Sequence, residues 1–157
     1  MAVTAVTGLA LDQLTKYLAV AHLGPQAPIR LLGGLLRLQL IRNPGAAFSL
    51  GEGSTVAISL LAILATAAML FVVAPRVRTP GAGLLAGLAT AGIAGNLVDR
   101  LVRPPSPLRG HVIDFFQLPH FAIFNVADIF ITCTAAILVV GAFRGDEPRT
   151  RKEETQR

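Results

Sequence analysis

Four aspartates stand in or beside apolar stretches of the chain: Asp12, Asp99, Asp114 and Asp128, with Asn43, Asn96, Arg100 and Asn125 as polar company. A carboxylate in or at the edge of a bilayer is costly, so each is a functional candidate by default. Asp114 sits on a short apolar segment after His111, and Asp128 follows a hairpin-like stretch containing Pro119. Phe115, Phe116, Phe121, Phe124 and Phe130 surround them. Two carboxylates brought within a few ångströms cannot easily both ionise, so one keeps its proton. The ionised partner can activate a water, while the protonated one polarises a carbonyl and later protonates the leaving amine. That is aspartic-protease chemistry, and it requires no metal and no cofactor.

Each candidate also has a plainer reading. Asn125 is a good N-cap and Asp128 stands at its N3 position, the pattern of a capping box at the positive end of a helix. Asn96, Asp99 and Arg100 share one side of a helix, where they could snorkel at its end or support a neighbouring site. His111, Asp114, His120 and Asp128 offer nitrogen and oxygen ligands, but their spacing matches no zinc-protease motif. A serine mechanism lacks its Gly-x-Ser-x-Gly elbow, and Ser49, Ser54, Ser59 and Ser106 have no evident base. Cys133 is the one cysteine; its apolar neighbours Ile131 to Leu138 lead us to expect a buried, unreactive thiol.

The elements that would position these residues are membrane helices. Apolar residues make up 53% of the 157, charged residues 15%, and mean hydropathy is +0.62. Val56 to Ala74 and Gly81 to Val98 are uncharged runs of 19 and 18 residues, near the roughly 20 needed to cross a bilayer. Spans are expected at about 2–23, 56–74, 81–101 and 125–143, followed by a tail over 144–157. The first could pass for a cleaved leader because of Ala19-Val20-Ala21, but no Lys or Arg precedes it. Asp12, Gln13 and Lys16 also interrupt it, and the i, i+4 spacing of Asp12 and Lys16 allows a pair inside the bilayer.

Between the first two spans, Leu36, Leu38 and Leu40 alternate with Arg37, Gln39 and Ile41 as in a short strand, and Asn43-Pro44-Gly45 reads as a turn. A small sheet on the membrane surface is expected there. Gly83, Gly87, Ala91 and Gly95 form a small-residue stripe on the third span that invites close approach of another helix. The 76–80 linker and the tail hold seven basic residues, which assigns both to the cytoplasm. The formal charge of +5 comes from scattered residues without a basic stripe or interleaved aromatics, so nucleic acid is not an expected partner.

Taken in order, the polar blocks resemble signal peptidase II, the bacterial lipoprotein signal peptidase family. They are Asp12-Gln13 with Lys16, Asn43-Pro44-Gly45-Ala46-Ala47-Phe48-Ser49, Gly95-Asn96-Leu97-Val98-Asp99-Arg100, Val112-Ile113-Asp114-Phe115 and Phe124-Asn125-Val126-Ala127-Asp128. The resemblance implies an all-α membrane protein of four transmembrane helices with a small extracytoplasmic β-sheet. It implies an aspartic endopeptidase of the bacterial inner membrane, acting on prolipoproteins whose cysteine already carries a diacylglyceryl group. Asp114 and Asp128 would be its catalytic pair. Asn43, Asn96, Asp99, Arg100 and Asn125 would line or brace the site, with Asp12 and Lys16 structural or near it. The 14-residue separation of Asp114 and Asp128 is short for the family. A monomer in membrane lipid, with the site near the outer surface, is expected.

Two rival functions remain at this point. An ion or proton relay through Asp12, Asp99 and Asp128 would spread carboxylates through the bilayer depth, whereas Asp99, Asp114 and Asp128 all fall at same-side ends of spans. A non-catalytic scaffold would leave Asp114 and Asp128 unexplained.

Overall fold

The computed structural model describes residues 1–24, 26–45, 54–105 and 107–145. The sequence blocks over 46–49, Ser106 and the tail beyond 145 lie outside them. Helix α1 (Ala2–His22) is followed by strands β1 (Ile29–Leu31) and β2 (Leu36–Asn43). Helix α2 (Ser54–Ala68) continues through a π-helical turn (Met69–Val73) and a 3-10 turn that contains Pro75. Then come α3 (Pro80–Val102), β3 (Val112–Gln117) and α4 (Val126–Gly145). The fold is mostly helical with one small sheet.

Three helical stretches, Thr55–Arg76, Pro80–Val102 and Val126–Phe143, are long and apolar enough to cross a membrane. Helix α1, interrupted by Asp12 and Lys16, is not among them. Its 21 residues nevertheless reach about 31 Å at the usual helical rise.

The small-residue stripe of α3 packs on α1. A Cβ added at Gly87 would lie 2.6 Å from Thr4 Cβ, and one at Gly95 would lie 2.5 Å from Asp12 Oδ2. Gly83 meets Met1, and Ala91 meets Gly8 of α1. Residue numbers rise together along the two helices, so they run parallel at backbone contact. Gly92 leaves matching room for the Ala127 carbonyl and Ile131 of α4. Thr79 caps α3, its side chain accepting from the Ala82 N–H at 3.2 Å, with Pro80 at the first helical turn, where a missing N–H does no harm.

The sheet is antiparallel in the order β1-β2-β3. Gly33 and Gly34 take φ of 67° and 95° between β1 and β2, a left-handed stretch that glycine adopts without a Cβ clash. Ile41 pairs with Asp114 and Asn43 with Val112. Leu40, Ile113 and Phe115 turn one face of the sheet onto Ala19 of α1 and Val126 of α4. The sheet therefore covers the ends of α1 and α4, and brings β3 beside the first turn of α4. After β3 the chain doubles back, and Phe124 pairs with Phe116.

Alternation at 36–40 thus predicted β2, whereas β1 and β3 carried no such signal. Cys133 corrects an expectation: it is exposed, not buried. Helix α4 is apolar on all sides, so apolar neighbours say nothing about which side faces the bundle.

Candidate active site

Asp114 is carried by β3 and Asp128 by the first turn of α4, and two asparagines join them. Asn125 Nδ2 donates to Asp114 Oδ1 at 2.7 Å and to Asn96 Oδ1 at 3.0 Å. Asn96 Nδ2 in turn donates to Asp128 Oδ1 at 2.9 Å. Asn43, the last residue of β2, donates to the other Asp114 oxygen at 2.9 Å. Its own Oδ1 accepts from the Gly45 N–H at 3.1 Å, which explains the turn after β2.

Amide orientations in this network are set by groups that can only donate. Asn125 Oδ1 accepts from the Asp128 N–H at 3.1 Å, and Asp128 Oδ2 accepts from the Asn125 N–H at 3.0 Å. These reciprocal bonds are the expected cap. Capping uses only one Asp128 oxygen, so Asp128 closes the helix and faces the site at once.

Asp114 is 3% exposed. Burial pushes its carboxyl up to about 6, and the nearby Asp128 adds to the rise. The amide bonds from Asn43 and Asn125, and the charge of Lys16, oppose it. Asp128, Asn96 and Asn43 are half-buried, so the cluster opens on their side.

Beneath the asparagines lies a second charged group. Lys16 and Asp12 are both fully buried and pair at 2.9 Å, as their spacing predicted. Lys16 Nζ also meets Asp99 Oδ2 at 2.8 Å and donates to Asn96 Oδ1 at 2.9 Å. Asp99 Oδ1 takes Arg103 Nε at 2.6 Å. Asp99 is fully buried and Arg100 nearly so, so neither snorkels at the helix end. Among the described residues, Arg100 Nη1 has no hydrogen-bond partner.

The four aspartates, Asn43, Asn96 and Asn125, Lys16 and Arg100 are thus drawn into one contiguous region. Arg103 joins them from outside the ordered polar blocks, although its i, i+4 spacing from Asp99 is a readable signal. Among the described residues, no three His, Cys, Asp or Glu side chains gather as a metal site would require.

The family model described as "Signal peptidase (SPase) II" matches residues 4–144. A lipoprotein signal peptidase of Rhodococcus jostii is 44% identical over 92% of this chain and 73% of its own length. One from Leifsonia xyli is 41% identical over 98% of this chain and 72% of its own. In structure, the chain resembles a bacterial membrane enzyme solved by the in meso method at 2.3 Å resolution. The TM-score is 0.80 at 24% identity, covering 96% of this chain and 92% of that one; at that identity the likeness speaks for the fold. The match along nearly the whole chain, together with the cluster that joins its ordered polar blocks, makes this protein a member of the signal peptidase II family.

Proposed function

We propose that this chain is an aspartic endopeptidase of the bacterial cytoplasmic membrane that removes signal peptides from diacylglyceryl-modified prolipoproteins, cutting before the lipidated cysteine. The observation that carries this reading is the amide bridge from Asp114 through Asn125 and Asn96 to Asp128. It links two carboxylates by neutral donors at an opening, in a family whose relatives bear the name lipoprotein signal peptidase.

Asp114 is the deeper of the two and carries the raised pKa, which suits it to hold the shared proton. Asp128, half-buried at a helix N-terminus and accepting two N–H groups, suits the ionised state. Asp128 takes a proton from water as the water oxygen bonds to the scissile carbonyl carbon. Asp114 stabilises the developing oxyanion with its proton. Breaking of the C–N bond sends the proton held on Asp128 to the departing amine. Arg100 Nη1, buried and without a hydrogen-bond partner among the described residues, is a donor that a backbone carbonyl of the bound peptide would satisfy.

The whole chain, 1–157, acts in this reading as one membrane domain with four spans. Helix α1 supports a fourth span because it runs beside α3 from Met1 at Gly83 to Lys16 at Asp99, about 24 Å along the axis. Arg76 and Arg78 lie in the α2–α3 linker, at the end away from the sheet. Those charges support a reading with both termini in the cytoplasm and the dyad near the outer surface, and with a monomer as the working unit.

The test uses purified protein and two precursors that differ only in the diacylglyceryl group. The expected result is one cut before the cysteine in the modified precursor, unchanged by a chelator. Cleavage that a chelator abolishes, or no cleavage of the modified precursor, would refute the reading.

A further inference from the structure

The buried charges beneath the dyad form a three-armed support whose arms end on or immediately before the two aspartates. Asp12 Oδ1 accepts from the Ala127 N–H at 2.9 Å, the residue immediately before Asp128. Asp99 Oδ2 accepts from the Ile113 N–H at 3.2 Å, the residue immediately before Asp114. The third arm is Asn96, whose amide donates to Asp128 itself. Lys16 Nζ joins all three, at 2.9 Å to Asp12, 2.8 Å to Asp99 and 2.9 Å to Asn96.

An ammonium has three N–H groups; these three contacts, with the Gly95 carbonyl farther off at 3.3 Å, leave none of them unpaired. A support serving stability alone has no need of such charges. Replacing a buried ion pair by packed apolar groups is often neutral or stabilising. What an apolar replacement cannot do is hold two separate backbone N–H groups and one amide oxygen at fixed points. The stretch Leu118–Asn125 ties the start of α4 to β3 on one side, where Phe124 pairs with Phe116; the support ties them from the other side, through α1 and α3.

We propose that Lys16 is a positioning residue for the reaction. It acts as the hub of a caliper, with Asp12 and Asp99 as its jaws, that sets the spacing of Asp114 and Asp128 and orients Asn96 toward Asp128. This rests on the reading of Asp114 and Asp128 as the catalytic pair. The charged groups facing the hub are Asp12 on α1 and Asp99 on α3, with Arg103 behind Asp99. Arg100 feels the charges of Asp114, Asp99 and Asp128, and Asp114 in turn feels that of Lys16. Gly95 belongs to the same device: a Cβ there would stand 2.5 Å from Asp12 Oδ2, so any side chain would push that jaw away.

Two variants test the hub, each assayed for folding by thermal unfolding and for turnover per folded molecule. Lys16→Met with Asp12→Asn removes one charge of each sign and leaves an oxygen that can still accept from the Ala127 N–H. Gly95→Ala displaces the jaw without changing charge. The expected result in a variant that folds is a loss of kcat of about tenfold or more. KM should stay near the wild-type value, and the pH profile of kcat should be displaced. Wild-type kcat with an unmoved pH profile in a folded variant would overturn the inference. Failure of both to fold would assign the cluster to stability alone and overturn it equally. Asp114→Asn run alongside separates the two readings: if it still cleaves, the dyad itself is wrong, whatever Lys16 does.

Discussion

Helix α2 and the α1–α3 pair meet the same surroundings in opposite ways. The α2 stretch is the most apolar of the three membrane-capable helices, and only 6% of its apolar window is buried inside the protein. Leu61, Leu64 and Phe71 point outward, 64%, 66% and 77% exposed. The least apolar of the three, α3, is 44% buried and packs against α1, the helix that carries Asp12 and Lys16. In water the ranking would be reversed. Lipid tails are as apolar as leucine, so apolar side chains gain little by leaving them. Helices therefore associate through small residues that allow close packing and through polar groups that need partners. The polar content of a helix here marks the inside of the molecule, and the dyad stands where those polar helices meet the sheet.

Substitutions on the two sides should separate cleanly. The largest effect on stability is expected from Asp99→Ala, which strips Lys16 and Arg103 of a shared buried partner. Removing one partner of a buried ion pair costs about 3–5 kcal/mol, read as a fall in the unfolding midpoint in detergent. Gly92→Val should follow, because its Cβ would lie 2.6 Å from the Ala127 carbonyl oxygen. Overpacking against backbone costs about 2–3 kcal/mol, and loss of turnover should accompany it as Asp128 shifts.

Acidity should produce an effect of similar size and defined sign. Burial raises the Asp114 carboxyl from 3.8 to about 6, so between those values the folded chain holds a proton that the unfolded chain releases. The stability contributed by protonated Asp114 is complete below about pH 4 and lost as pH rises through about 6. The loss is about 3 kcal/mol. Unfolding followed across that window should show the decline in wild type and not in Asp114→Asn. The smallest effect belongs to the lipid side: Leu64→Ala should change stability by no more than about 0.5 kcal/mol and leave cleavage rates unchanged. A large loss there would break the contrast between the two regions.

Local spacing made several features legible in the sequence. The Asp12–Lys16 pair, the glycine stripe, the Asn125–Asp128 cap and the strand at 36–40 all depend on residues a few positions apart. The contacts that build the support were not legible, because two of its jaws close on main-chain N–H groups of Ala127 and Ile113. A backbone donor has no residue type to betray it. β1 and β3 escaped for another reason: β1 is only three residues long, and the first four residues of β3 are buried on both faces, so neither shows an alternation of apolar and polar residues. Cys133 was misplaced because α4 carries no polar face to set its rotation.

Most directly at stake is the joint action of Asp114 and Asp128 on one peptide bond. The measurement is single-turnover cleavage of a diacylglyceryl-modified prolipoprotein by wild type, Asp114→Asn and Asp128→Asn, with folding of each confirmed by thermal unfolding. The expected result is a fall of about a thousandfold or more in each variant, with no further loss when the two are combined. Cleavage at near wild-type rate in either folded variant would contradict the dyad.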